Sequence, residues 1–204
     1  CQDLVEDQDD DNDGFADTSD NCPTGELNWI SSTNNDYDSD GCHDALEDDD
    51  DDSDSILDIN DSCLIGDLNW LSNSTTDHDS DGCQDSVEDQ DDDNDGVIDI
   101  DDDCSTGELN WISSTNNDYD SDGCHDALED DDDDSDSILD INDSCLIGAL
   151  NWLSNSTSDH DSDGCHDSLE DGDDDNDGII DTSDNCPTGD LNWLSNSTTD
   201  HDSD

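Results

Sequence analysis

The chain contains no lysine and no arginine among its 204 residues. That absence excludes a nucleic-acid partner, because phosphate backbones are held by Lys and Arg. It excludes electrostatic attraction to anionic membrane surfaces for the same reason. Methionine is missing, phenylalanine occurs once, tyrosine twice, and hydrophobic residues make up only 26%. No apolar run approaches the ~20 residues of a membrane-spanning helix. Against these absences stand 68 Asp and Glu residues and a formal net charge of -68. Such a chain buries too little apolar surface to offset its conformational entropy, and nothing in it neutralises its self-repulsion. Two readings remain: a disordered acidic tract, or a fold whose positive charge comes from outside the sequence. Ten cysteines favour the second, since an even count suggests disulfides made in an oxidising compartment.

The chain is an internal repeat. Trp recurs at 29, 70, 111, 152 and 193, a step of 41 residues. One set of Cys (1, 42, 83, 124, 165) and another (22, 63, 104, 145, 186) keep the same step. The expected units are 1–41, 42–82, 83–123, 124–164 and 165–204. Residues 25–66 and 107–148 are identical, so two flavours of unit alternate, imperfectly, along the chain. One carries Ile-Ser-Ser-Thr-Asn-Asn-Asp-Tyr after the Trp, the other Leu-Ser-Asn-Ser-Thr-Thr-Asp-His. The length is five units less one Gly, the Gly that precedes Cys42 and its copies, so a window on a longer polymer is expected. Near-identical copies suit a part that works by length; a catalytic site has no use for five.

Each unit carries two acidic loops. The first kind reads Asp36, Asp38, Asp40, Gly41, Asp44 and Glu47, the pattern D-x-D-x-D-G-x-x-D-x-x-E of an EF-hand calcium loop. Carboxylates at positions 1, 3, 5, 9 and 12 supply oxygens, position 7 supplies a carbonyl, and Gly at position 6 permits the sharp turn. The same five acids recur as Asp77, Asp79, Asp81, Asp85, Glu88; as Asp118, Asp120, Asp122, Asp126, Glu129; and as Asp159, Asp161, Asp163, Asp167, Glu170. The second kind ends in Asp: Asp9, Asp11, Asp13, Asp17, Asp20. Its copies are Asp50, Asp52, Asp54, Asp58, Asp61; Asp91, Asp93, Asp95, Asp99, Asp102; Asp132, Asp134, Asp136, Asp140, Asp143; and Asp173, Asp175, Asp177, Asp181, Asp184. Two of these copies place Ser55 and Ser137 where Gly is expected, which predicts weaker or rearranged turns there. Half-loops lie at the ends, at Asp200, Asp202 and Asp204 and at Asp3 and Glu6.

All-oxygen donors select hard cations, calcium before magnesium, because crowded flexible carboxylates suit 6–8-fold coordination. Nine ions, one per complete loop, carry 18 positive charges against 68 negative, and two per loop carry 36 and leave -32. The flanking acids Asp7, Asp10, Asp48, Asp49 and Asp51 favour more than one ion per loop pair, with shared carboxylates. A Kd on the order of 10⁻⁴–10⁻³ M would match external calcium.

The run Asp-x-Asp-x-Asp-Gly-x-x-Asp-x-x-Asp-Asn-Cys-Pro at 9–23 and 173–187 resembles the thrombospondin type 3 repeat, and Asp-Ser-Asp-Gly-Cys-x-Asp at 38–44 resembles that family's other half-repeat. The resemblance covers the whole chain. It implies a mostly irregular, calcium-wrapped tandem-repeat rod or solenoid with little regular secondary structure, stapled by consecutive disulfides and extracellular. The Gly-Glu-Leu-Asn-Trp insert and the strict regularity depart from the animal family and are closer in style to secreted microbial repeat proteins. The family's partner-binding roles therefore do not carry over.

Cys intervals alternate between 20 and 21 residues, and the spacing permits two sequential pairings. One joins Cys22 to Cys42, Cys63 to Cys83, Cys104 to Cys124 and Cys145 to Cys165; the other joins Cys1 to Cys22 and so on to Cys186. The need to staple the metal-free segment 21–35 and the family resemblance both favour the first. Zinc is disfavoured because no Cys-x-x-Cys occurs. In that segment Leu27, Trp29 and Ile30 are the one concentrated apolar cluster of the unit, expected either as a local mini-core on the second loop's apolar pair or as a contact with the next unit or chain. Asn73, Asn155 and Asn196 begin glycosylation sequons in the segment; Asn60 and Asn142 begin poorer ones inside loops. The six His lie beside Asp, but His78 is matched by Tyr37 and His43 by Gln84, so they read as exposed loop positions, not catalysts. No nucleophile elbow, phosphate loop or zinc-hydrolase motif occurs, and no enzyme activity is expected.

The expectation is an extracellular or cell-surface structural protein: a filament or stalk built by self-assembly on many Ca²⁺ ions and bearing glycans. The alternatives are a calcium-dependent adhesin module and a soluble acidic calcium buffer.

Overall fold

The computed structural model describes residues 8–191 and 193–199. Among them the one regular element is a single 3-10 turn, Asp181–Ser183. Everything else is turns, bends and extended backbone. The sequence explains this: acidic runs punctuated by Gly, Asn and Ser favour local side-chain-to-backbone bonding over helix or sheet. Among the described residues no helix is long and apolar enough to cross a membrane. The half-loop acids Asp3, Glu6, Asp200, Asp202 and Asp204, together with Cys1, lie outside the described residues.

The chain divides into two compact units, Cys1–Asn94 and Asp95–Asp204, with the boundary inside the loop 91–102. In the first, Cys22 pairs with Cys42 and Cys63 with Cys83; in the second, Cys104 pairs with Cys124 and Cys145 with Cys165. Of the two pairings that the spacing permits, the structure has the one that encloses the metal-free segment. Cys186 is exposed and makes no disulfide.

The core of both units is inverted. The buried apolar side chains are Cys42 and Cys83 in the first unit and Cys124 and Cys165 in the second. Among the described residues, all the other buried side chains are aspartates: Asp11, Asp13, Asp20, Asp36, Asp52, Asp54, Asp77 and Asp93 in the first unit, and Asp95, Asp102, Asp118, Asp134, Asp136, Asp159, Asp175 and Asp177 in the second. They occupy positions 3, 5 and 12 of second-kind loops and position 1 of first-kind loops. The aliphatic residues face out instead. Leu27 is 60% exposed and Ile30 66% exposed, so they form no mini-core. Trp29 is half-buried, with its ring edge against His43, centroids 4.8 Å apart. Trp111 meets His125 in the same way, and Trp152 meets His166 with the rings tilted and centroids 4.6 Å apart.

Candidate metal centres

Every loop is a chain of side-chain-to-backbone bonds that turns carboxylates inward. The position-5 carboxylate accepts the N–H of position 7 at 2.6–3.0 Å in all nine loops, as in Asp13 with Phe15 and Asp40 with Cys42. The position-9 carboxylate accepts the N–H of position 2, as in Asp17 with Asp10 (2.8 Å) and Asp44 with Tyr37 (3.1 Å). Its own N–H donates to the carbonyl just before the loop, Asp17 to Gln8 and Asp44 to Asn35. These bonds close the loop without any sheet or helix.

The backbone at positions 4 and 6 is left-handed throughout. Ser39 has φ 63° and Gly41 φ 95°; Asn12 has φ 63° and Gly14 φ 104°. Ser55 and Ser137, expected to disturb their turns, hold φ 84° and 80° and keep the conformation. The reason is space. A Cβ at Gly14 or Gly178 meets nothing within 4 Å. In first-kind loops the position-6 glycine is pressed against the last aspartate of the preceding loop: a Cβ at Gly41 would lie 2.4 Å from Asp20 Oδ1, and one at Gly82 2.2 Å from Asp61 Oδ1. Serine therefore replaces glycine only where there is room.

This contact is also where consecutive loops are sewn together. Asn21 N–H donates to Asp40 O (2.9 Å), Asn21 Nδ2 donates to Asp40 Oδ2 (2.8 Å), and the Cys22–Cys42 disulfide closes the same spot. Ser62 with Asp81, Asp103 with Asp122, and Ser144 with Asp163 repeat the backbone bond.

The metal-free segment wraps the deep loop. Gly25 N–H donates to Asp11 Oδ2 (2.9 Å), and Ser31 N–H to the Asp13 carbonyl (2.9 Å). The Ser31 hydroxyl then donates to Asp36 Oδ2 at the start of the next loop. Ser72, Ser113 and Ser154 make the same two bonds, Ser154 donating to Asp159 Oδ2 at 2.5 Å. The sequence reading missed these serines. The available signal was that a Ser follows Trp-Ile or Trp-Leu in all five copies, at 31, 72, 113, 154 and 195. The first-kind position-12 glutamates clasp the segment too: Glu47 accepts the N–H groups of Glu26 (2.8 Å) and His43 (3.2 Å). Glu88, Glu129 and Glu170 do the same with Asp67 and Gln84, Glu108 and His125, and Ala149 and His166.

The two flavours of segment exchange groups without losing bonds. Tyr37 Oη donates to Gly66 O (2.9 Å) and Tyr119 Oη to Gly148 O (2.8 Å), whereas His160 Nε2 meets Gly189 O at 3.1 Å. Ser32 pairs with Asn35 in one flavour, and Asn73 with Thr76 in the other. Hence His43, His78, His125, His160 and His166 are half-buried and not exposed loop positions. His201 lies outside the described residues. The sequon residues Asn73, Asn155 and Asn196 are exposed, and the amide groups of Asn73 and Asn155 each donate to a backbone carbonyl and to a hydroxyl.

The carboxylates converge. Oxygens of Asp9, Asp11 and Asp13 lie within 4.8 Å of one another, as do those of Asp36, Asp38 and Asp40, and of Asp50, Asp52 and Asp54. Another group joins Asp44, Asp48 and Asp51 across the junction of two loops. A cation with oxygen ligands at roughly 2.3–2.6 Å would reach across such gaps, and all the donors are the hard oxygens that calcium takes. Asp13, Asp54 and Asp136 are 0% exposed, and the Oδ2 of each has no hydrogen-bond partner. Burying a bare carboxylate oxygen is costly unless a cation meets it. Burial and crowding raise the carboxyl pKa values. Asp54, Asp136 and Asp20 are pushed up from 3.8 to about 6 by desolvation and by neighbouring aspartates. Asp51 and Asp133 reach about 7, by desolvation and by Asp58 and Asp44, or Asp140 and Asp126.

No protein-family model matches this chain, and no curated protein is similar to it.

Proposed function

We propose that the chain is an extracellular structural protein whose fold is assembled around calcium, in the manner of the thrombospondin type 3 repeats that its loop motifs resemble. The observation that carries this reading is the carboxylate core: Asp13, Asp54 and Asp136 are fully buried, each with an oxygen that no protein group meets, in a chain without Lys or Arg. Calcium supplies the missing positive charge, at least one ion per loop, so folding and metal binding are one process. Positions 1, 3 and 5 of each loop and the position-12 aspartates of the second kind are the ligands that the geometry favours most. The disulfides hold loop pairs together in an oxidising medium. Length by repetition suits a filament or stalk made of successive units and further copies, with Asn73, Asn155 and Asn196 as exposed positions for glycans.

Calorimetric titration of chelator-stripped protein tests the metal reading. The expected result is at least nine calcium ions bound, with magnesium competing poorly; equal affinity for magnesium, or no uptake, refutes it. Electron microscopy of the native material tests the assembly reading. Continuous fibres support it, whereas isolated particles carrying a distinct head favour an adhesin, and monomers favour a calcium buffer.

A further inference from the structure

The calcium reading gives every loop an ion, but the two kinds of loop offer different oxygens. In second-kind loops the carboxylates at positions 1 and 5 each keep a buried oxygen with no hydrogen-bond partner: Asp9 Oδ1 with Asp13 Oδ2, Asp50 Oδ1 with Asp54 Oδ2, and Asp132 Oδ1 with Asp136 Oδ2. Asp20, at position 12, is 8% exposed; its Oδ1 accepts the Cys22 N–H at 2.7 Å and its Oδ2 has no partner. First-kind loops fill the matching oxygens with protein donors. At position 1, Asp36 Oδ1 accepts the Asp40 N–H (3.0 Å) and Oδ2 the Ser31 hydroxyl. Asp77, Asp118 and Asp159 are met in the same way, by Asp81 and Ser72, by Asp122 and Ser113, and by Asp163 and Ser154. At position 12 an EF-hand loop turns both oxygens of a Glu to the ion. Here Glu47 turns Oε1 to the His43 N–H and Oε2 to the Glu26 N–H, and it lies against Gly25, where a Cβ would fall 2.4 Å from Oε2. Glu88 and Glu129 lie as closely against Gly66 and Gly107. An oxygen that already accepts a hydrogen bond has spent a lone pair on it, and the positive end of the donor opposes a cation. A buried carboxylate oxygen without a partner gains most from one.

We propose that the second-kind loops are the primary calcium sites, and that the first-kind loops form a second, weaker class whose position-12 glutamates hold backbone instead of metal. Glu47, Glu88, Glu129 and Glu170 then serve as clasps on the metal-free segment, and the serines at 31, 72, 113 and 154 lower the affinity of the loops they cap. The inference rests on the calcium reading and adds to it which loops fill first and which acids are not ligands.

The test is a calcium titration of the full disulfide-bonded chain by equilibrium dialysis, with ions counted by native mass spectrometry. Two phases are expected: five ions, one for each complete second-kind loop, then four more for the first kind. The second phase should be weaker by about tenfold or more, as ligand number falls. Uptake in a single phase overturns the two classes and leaves calcium binding intact, whereas no uptake overturns both readings. Asp54→Asn is expected to take one ion from the first phase; loss from the second phase instead overturns the assignment. Glu88→Gln is expected to keep both counts and to speed hydrogen exchange in 64–72, the segment that Glu88 clasps; loss of an ion overturns the clasp. Because Asp54→Asn removes a buried charge and can disturb folding, a further variant keeps every carboxylate. Ser113→Ala leaves the backbone bond of residue 113 in place and strips the hydroxyl from Asp118 Oδ2. It should tighten one second-phase ion by about 2- to 10-fold, the worth of one hydrogen bond. Unchanged or weaker binding there overturns the proposal.

Discussion

Alanine at Gly41 and alanine at Gly14 make the same change at the same loop position, yet the structure separates their effects. Gly14 has φ 104° and open space, so its Cβ meets nothing within 4 Å. The cost there is conformational, ~1–2 kcal/mol for an L-residue in the left-handed region. Gly41 has φ 95° and carries the same conformational cost, but its Cβ would fall 2.4 Å from Asp20 Oδ1, 2.8 Å from Cγ and 3.3 Å from Cα. Asp20 cannot swing away freely, since its Oδ1 accepts the Cys22 N–H at 2.7 Å and the adjoining disulfide anchors its chain. Overpacking of this kind adds roughly 1–3 kcal/mol, which is about 5- to 150-fold in a local opening equilibrium. Hydrogen exchange read by mass spectrometry in calcium resolves single segments of a repeat chain, where a global unfolding free energy is not well defined. Peptides spanning 18–44 should exchange faster in Gly41→Ala than in Gly14→Ala by that factor. Equal protection in the two variants would refute the packing argument.

Protons compete with calcium. Asp20, Asp54 and Asp136 titrate at about 6 and Asp51 and Asp133 at about 7 in the metal-free fold, all raised from 3.8. A folded state with raised carboxyl pKa values binds protons more tightly than the unfolded chain. The metal-free fold is therefore most stable below the ordinary value of 3.8 and loses that stability as pH rises through about 6–7. Calcium affinity should climb across the same window and release protons, seen as buffer-dependent heats in calorimetry; a flat affinity across it would contradict the burial. Tyr119→His should be nearly neutral, because His160 meets Gly189 O where Tyr119 meets Gly148 O, whereas Tyr119→Phe should cost about 1 kcal/mol. Calcium-chelator titration followed by Trp fluorescence distinguishes the two. Replacing Cys145 and Cys165 by Ser opens a loop of 20-residue separation and should cost about 3 kcal/mol, read as a higher calcium midpoint for that segment.

Much of the site was legible because its logic is one-dimensional. The 1-3-5-9-12 spacing puts acids on the inner side of a turn whatever lies around it, and the loop bonds of Asp13, Asp17, Asp40 and Asp44 follow that spacing. What lay between loops was not legible. Intervals of 20 and 21 permit two cysteine pairings, and the choice is made by the approach of Gly41 to Asp20 and of Asn21 to Asp40, which no local pattern encodes. Ser55 and Ser137 looked disruptive because sequence reveals the cost of a Cβ but not the room around it. Ser31 drew no structural role from the sequence, since a hydroxyl between an Ile and polar residues carries no ligand pattern. Trp29 finds His43 rather than Leu27 or Ile30, a contact 14 residues away with no helical or strand period behind it.

The central claim is that calcium stands where a hydrophobic core would be. Small-angle scattering of the disulfide-bonded chain, in millimolar calcium and then in excess EDTA, tests it most directly. The account predicts a well-defined folded particle in calcium and a markedly larger radius of gyration in EDTA, as 68 carboxylates repel within a coil held only by its disulfides. An unchanged scattering profile in EDTA would contradict it.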